Sequence, residues 1–220
     1  HGGTTGNDVV LTRFVPAPPT VQSVQVNDGS AQRSEVQSIA VTFSSAVNFA
    51  GGDANAAAAF QLNHIQTGNN VALSAAVSTD GLGRTVVTLS FSGGETDPIS
   101  VLNGGTPSLA DGRYTLTIFG GAVTGPGGVA LDGAGNGTPG SNYVSPTDTY
   151  QGSGLHLYRI FGDATGDGTV DTFDLAQFRT AYNSGAGQAN FLAYLDADNS
   201  GGIDLQDLGQ FRSRYNLNVF

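Results

Sequence analysis

Two aspartate-rich loops near the C-terminus, DATGDGTVDTFD at 163–174 and DADNSGGIDLQD at 196–207, constrain this 220-residue chain more than any other feature. In each, oxygen-bearing side chains fall at loop positions 1, 3, 5, 9 and 12, with glycine at position 6. A hard divalent cation takes about six to eight oxygen ligands, and a short chain wraps it only through a sharp turn, which glycine permits. The spacing therefore predicts two Ca²⁺ ions, one per loop. The first loop offers Asp163, Thr165, Asp167, Asp171 and Asp174, with the Thr169 carbonyl at position 7. The second offers Asp196, Asp198, Ser200, Asp204 and Asp207, with the Gly202 carbonyl. Asp171 and Asp204, at position 9, are expected to reach the ion through water.

The duplication runs past the loops. With residue 163 set on 196, identical residues recur at Gly168/Gly201, Asp171/Asp204, Asp174/Asp207, Leu175/Leu208, Gln177/Gln210, Phe178/Phe211, Arg179/Arg212, Tyr182/Tyr215 and Asn183/Asn216. After each loop the apolar residues step by three and four (Leu175, Phe178, Tyr182; Leu208, Phe211, Tyr215), which is one face of a helix. Each unit thus reads as a calcium loop followed by a helix. Position 8 is β-branched in both loops (Val170, Ile203), so the loops are expected to pair back to back through a short strand contact. Residues 189–195 are expected to form a short connecting helix.

A tandem of EF-hand-type loops of this length, with Asp at position 12 and no incoming helix, resembles a type I dockerin over about 161–220. The resemblance implies a cohesin-like protein partner, contacted by the residues at loop positions 10 and 11. Here those are Thr172 and Phe173, then Leu205 and Gln206. Neither pair is the small-hydroxyl dyad of cellulosomal dockerins, and the two copies differ. Calcium binding therefore carries over, whereas a cellulosomal cohesin does not.

The formal charge is −10, and eight of the 16 Asp lie in the two loops, so much of the acidity is ligand charge. There are eight Arg and no Lys, and no basic patch, which argues against nucleic acid or an anionic membrane surface as partner. The absence of Cys removes disulfides, thiol catalysis and thiolate metal sites together. Calcium loops of modest affinity suit an extracellular setting. No signal peptide, membrane-spanning run or starting Met is present, so the chain reads as part of a longer secreted or cell-surface protein.

The first 160 residues are rich in Gly, Ser, Thr and Val, with short alternating runs between turn signals. Strands are expected at 9–14, 21–26, 38–43, 60–64, 71–78, 85–91, 114–119 and 143–150, and the Ala-rich run 54–60 reads as a helical turn or loop. Such spacing, with no helical window between, predicts an all-β sandwich. The succession SIAVTFSSAVNF, VVTLSF, LADGRYTLTIFGGAV and GGVALDGAGNG is similar to bacterial Ig-like domains of the surface-layer type. That resemblance implies a spacer or adhesive module. The expected fold is therefore mainly β: a strand or linker over 1–18, an Ig-like β-sandwich over 19–158, and a small α-helical, dockerin-like domain over 159–220. Leu155, Leu157, Tyr158 and Ile160 predict an ordered junction between the two.

Catalytic groups are scarce. The chain has two Glu, Glu35 and Glu95, neither in an acid/base context, and His64 and His156 stand isolated in sequence. No G-x-S-x-G elbow occurs. The turn Asp132–Asn136 has the start of a third calcium loop but carries Ala134 at position 3, so it reads as a glycine-rich hairpin turn. Three readings follow: a non-catalytic display, adhesion or assembly module that meets a neighbouring domain of the same parent protein; a true dockerin that brings a polysaccharide-degrading enzyme to a cohesin; and a sandwich that binds glycan.

Overall fold

The computed structural model describes residues 16–146 and 155–220. The expected strand at 9–14, most of the linker at 1–18 and the residues 147–150 of the last expected strand lie outside the described residues. The described chain is mainly β, and every strand pairing is antiparallel.

One sheet runs in the order β1 (Val21–Val26), β2 (Ser38–Phe43), β6 (Thr85–Ser92) and β5 (Ala72–Thr79). The second is β10 (Tyr158–Arg159), β7 (Gly112–Ile118) and β4 (Phe60–His64), with β9 (Tyr143–Val144) also on β7. A short pair, β3 (Asn48–Phe49) with β8 (Val123–Thr124), closes one side. Alternation sets which face is inward: Ile39, Val41 and Phe43 on β2, Val87 and Leu89 on β6, Leu62 on β4, and Leu116 and Ile118 on β7 are all fully buried in one cluster. This is a β-sandwich core. The Ala-rich run forms a 3-10 turn, Asp53–Ala59, that buries Ala56 and Ala59.

The strands β3, β8 and β10 have no counterpart among those expected from sequence. Each is two residues long, too short for any alternation to show.

The C-terminal unit holds two α-helices, α1 (Thr172–Ala181) and α2 (Leu205–Arg214), over a separate small core. Phe178 and Phe211 meet at its centre with ring centroids 4.8 Å apart. The expected connecting helix at 189–195 shrinks to a 3-10 turn, Ala193–Leu195.

The pairing of the loops differs from expectation. Val170 and Ile203 do not pair with each other; each pairs with the chain that follows the other repeat's helix. Val170 N donates to Leu217 O (3.0 Å), Asn216 N to Val170 O (2.7 Å) and Val219 N to Gly168 O (2.9 Å). Each bond recurs 33 residues away with the repeats exchanged: Ile203 N to Ser184 O (2.9 Å), Asn183 N to Ile203 O (2.8 Å) and Ala186 N to Gly201 O (2.8 Å). The reason is local: Asn183 and Asn216 both take left-handed conformations (φ 62° and 66°), which turn the chain off each helix and back along the opposite loop.

Candidate metal centre

Each helix begins in a loop. Asp171 and Asp204 are N-caps whose side chains accept from Phe173 N and Gln206 N, both at 2.7 Å. Asp174 and Asp207 complete a capping box, accepting from Asp171 N and Asp204 N at 2.8 Å each. The other oxygen of each reaches the loop's start: Asp174 Oδ1 accepts from Ala164 N and Thr165 N (2.9 Å each), and Asp207 Oδ1 from Ala197 N (2.8 Å). Position 12 thus draws the two ends of each loop together.

Position 1 organises the interior. Asp163 accepts from Gly166 N (2.6 Å) and Gly168 N (3.0 Å); Asp196 accepts from Ser200 N (3.0 Å) and Gly201 N (2.9 Å). Gly168 and Gly201, at position 6, share φ 83°, a conformation that side chains rarely adopt.

The result is one three-carboxylate cluster per loop; the two share positions 1 and 12 and differ in the third member. Asp163, Asp167 and Asp174 offer oxygens within 4.8 Å of one another, as do Asp196, Asp198 and Asp207. Asp163, Asp174 and Asp207 are fully buried. Burial pushes the carboxyls of Asp163 and Asp207 up to about 6, against the pull of their N–H donors, and neighbouring carboxylates add to the rise. Asp174 and Asp196 are raised by the same cause. An all-oxygen donor set, crowded, mostly buried and, among the interactions described, with no basic side chain hydrogen-bonded to its carboxylates, fits a hard divalent cation.

The remaining candidate ligands lie around these clusters. Thr165 Oγ1 donates to Asp174 Oδ1 (3.0 Å), and Ser200 Oγ to the Gly202 carbonyl (3.1 Å). Thr169 Oγ1 accepts from Asn218 (2.8 Å). Asp171 and Asp204 serve as helix caps, outside the three-carboxylate groups. The four residues named for partner contact stand on the surface: Phe173 is 70% and Leu205 72% exposed, with Thr172 and Gln206 exposed beside them.

Two sequence-level readings need correction. His64 is not isolated: its Nδ1 lies 2.5 Å from Glu95 Oε2, and Asn69 and Thr67 also donate to Glu95. The ring stacks on Tyr114, with centroids 4.7 Å apart. Its Nε2 is buried against Gly112, where a Cβ would stand 2.0 Å away, so the pair is closed in rather than presented to a cleft. Glu35 is half-buried within the electrostatic reach of Arg159 and Asp196, and loss of solvent pushes its carboxyl up to about 7. Neither contact had a sequence signal, since both join strands or turns far apart in the chain.

The Asp132 turn behaves as a hairpin turn. Asp132 accepts from Gly137 N (2.6 Å), Asn136 N (3.2 Å) and Ser141 Oγ (3.1 Å). Burial would raise this carboxyl, but these donors hold it below the ordinary value.

No family model matches the chain, and no curated protein matches it in sequence. Among solved structures, it is similar to the N-terminal part of the bacterial S-layer protein SbsC (19% identity, 52% of this chain, TM-score 0.33) and to rSbsC (17%, 58%, TM-score 0.34). It spans 21% and 13% of those two chains. It is also similar to a type II cohesin–X–dockerin complex from Acetivibrio cellulolyticus (13% identity, 73% of this chain and 82% of that one, TM-score 0.26). At identities of 13–19% and TM-scores of 0.26–0.34, these likenesses carry no functional assignment for this chain.

Proposed function

We propose that this chain is a non-catalytic, calcium-binding module of a secreted or cell-surface protein, in which an Ig-like β-sandwich carries a dockerin-like unit. The observation that carries this reading is the repetition. Two loops, 33 residues apart, each gather three carboxylates, from positions 1, 5 and 12 in the first and 1, 3 and 12 in the second, and share the same left-handed glycine and the same capped helix. Ca²⁺ would supply the positive charge that the buried carboxylates lack. Asp163, Asp167 and Asp174 would hold one ion, and Asp196, Asp198 and Asp207 the other, completed by Thr165, Thr169, Ser200 and Gly202.

Calorimetric titration of the chelator-stripped chain with Ca²⁺ tests this. Two equivalents are expected, with Asp163→Ala and Asp196→Ala each losing one. A wild-type chain that takes up no calcium refutes the reading.

Docking onto a cohesin-like protein is a second reading, favoured by one observation. Phe173 and Leu205 are large apolar side chains left in water at the helix starts. Capture of cohesin domains by the calcium-loaded chain, lost in Phe173→Ser with Leu205→Ser, would support it. A glycan-binding sandwich draws less support. Most of its described rings point inward, with Phe43, Phe49, Phe60, Phe91 and Tyr114 buried and Tyr143 half-buried, and Phe119 stands exposed without a second exposed ring described beside it.

A further inference from the structure

We infer that the β-sandwich is part of the calcium machinery: it holds both loops in their wrapped form, so that ion binding and docking of the C-terminal unit onto the sandwich are thermodynamically linked. This rests on the calcium reading proposed above. It goes further by assigning a role to residues outside the loops.

Both loops touch the sandwich at the same place. Position 4 is Gly166 in the first loop and Asn199 in the second, and both are left-handed, with φ 78° and 54°. Gly166 lies so close to the 30–34 segment that a Cβ there would stand 1.9 Å from Ala31 O. Asn199 reaches the 99–105 segment, donating from Nδ2 to Ser100 O at 2.6 Å. A Cβ on Gly105 would collide with that amide at 2.1 Å. For a residue other than glycine, the left-handed region is costly unless the surroundings fix it. The Asn199–Ser100 bond supplies that constraint.

Further bonds fall on ligand positions themselves. Arg33 N donates to Asp163 O (2.8 Å), and Asn103 Nδ2 to Asp198 O (2.9 Å). Tyr158, on β10 and therefore paired with β7 of the sandwich, donates its hydroxyl to Asp163 Oδ2 (2.9 Å). Tyr158 is a positioning residue for the first site: it fixes a carboxylate oxygen at position 1 from outside the loop.

The seam around these contacts is ionic, with Arg159 buried at its centre and Asp111 partly exposed. Arg159 is buried and pairs with Asp97 (2.8 Å) and Asp111 (2.7 Å), while Asp111 also binds Arg214 of α2 (2.6 Å). Both guanidinium groups sit over the Phe161 ring, at 5.7 and 5.6 Å. Ser34 Oγ donates to Tyr194 O (2.6 Å). Unwrapping withdraws Asp163 and Gly166 of the first loop, or Asp198 and Asn199 of the second, from their sandwich contacts together. Coupling of this kind is reciprocal. Loops released by metal removal loosen the seam, and a damaged seam weakens metal binding.

The test uses the full chain with two sets of variants that spare every loop residue. Asn103→Ala with Gly105→Ala disturbs only the sandwich side of the second loop. Its second-site Ca²⁺ affinity should fall about fivefold or more, with the first site unchanged. Tyr158→Phe, a near-isosteric change that keeps the core, should weaken the first site alone and serves if the double variant fails to fold. In wild type, trypsin should cut after Arg159 in chelator but not in Ca²⁺. The inference is overturned if both variants bind two ions with wild-type affinity, or if Arg159 is equally protected without calcium. A wild-type chain that binds no calcium overturns the metal reading itself, which the same titration shows separately.

Discussion

In the β-sandwich the residues withdrawn from water are mostly apolar, and the buried carboxylates Asp97 and Asp132 are balanced locally, while half-buried Glu35 is pushed up to about 7. Asp97 faces Arg159, and Asp132 is ringed by N–H and hydroxyl donors that hold it below its ordinary pKa. In the C-terminal unit, Asp163 has comparable donors, yet burial outweighs them and pushes it up to about 6, with Asp174 adding its charge. The same residue in the same kind of glycine turn is thus content in one region and frustrated in the other. One carboxylate can be satisfied by backbone dipoles; three within 4.8 Å cannot. The sandwich balances Asp97 and Asp132 with its own neighbours, whereas the crowded carboxylates of the C-terminal unit stay raised despite their donors.

The sharpest way to break this comparison is chelation. Removing calcium should abolish the helical circular dichroism of α1 and α2 while the β signal persists. If the helical signal survives in EDTA, the clusters are not structural metal sites.

Next in size is the small core. Phe178→Ala or Phe211→Ala should each cost about 3–5 kcal/mol in the C-terminal unit, because each ring is fully buried at the centre of its small core. Thermal unfolding should show the sandwich transition unmoved; a shift of both transitions together would mean that the two cores unfold as one.

A smaller effect should appear with pH in metal-free protein. Asp163 and Asp207 have folded-state pKa values of about 6, above the ordinary 3.8. A raised carboxyl contributes stability that is fully present below the unfolded value and is lost as pH rises through the folded one. The metal-free unit should therefore be more stable at about pH 5 than at pH 7, and calcium should reverse the order, since protons compete with the ion. The helical circular dichroism that metal-free protein regains at pH 5 over pH 7 checks this, and equal helical signals would count against uncompensated carboxylates.

The smallest expected change is at the helix starts. Phe173→Ser with Leu205→Ser should alter stability by no more than about 0.5 kcal/mol per site, because both side chains are already in water. A large loss on denaturant unfolding would show that they pack against something within the chain.

Much of this architecture was legible in the sequence. Alternation such as Ile39, Val41 and Phe43 marked the long strands because burial on one face imposes a period of two. The repeat located both loops and both helices, since ligand spacing and the three-four helical step are local properties. What stayed hidden depends on meetings between distant segments. The His64–Glu95 contact, the Arg159–Asp111–Arg214 chain and the Tyr158–Asp163 bond join residues that no local pattern relates. The exchange of partners by Val170 and Ile203 was also invisible, because a β-branched residue announces a strand without naming its neighbour.

That exchange bears on how such a unit can come into being. Each loop is braced by chain that belongs to the other copy, through three bonds that repeat with the copies reversed. A polypeptide carrying a single copy could form those bonds only by borrowing them from another molecule. The repeat thus behaves as a tethered pair of like halves, with the 187–195 segment doing the work of concentration. Severing that tether would leave two halves that still recognise each other, while either half alone would find its partner only in a second half like itself.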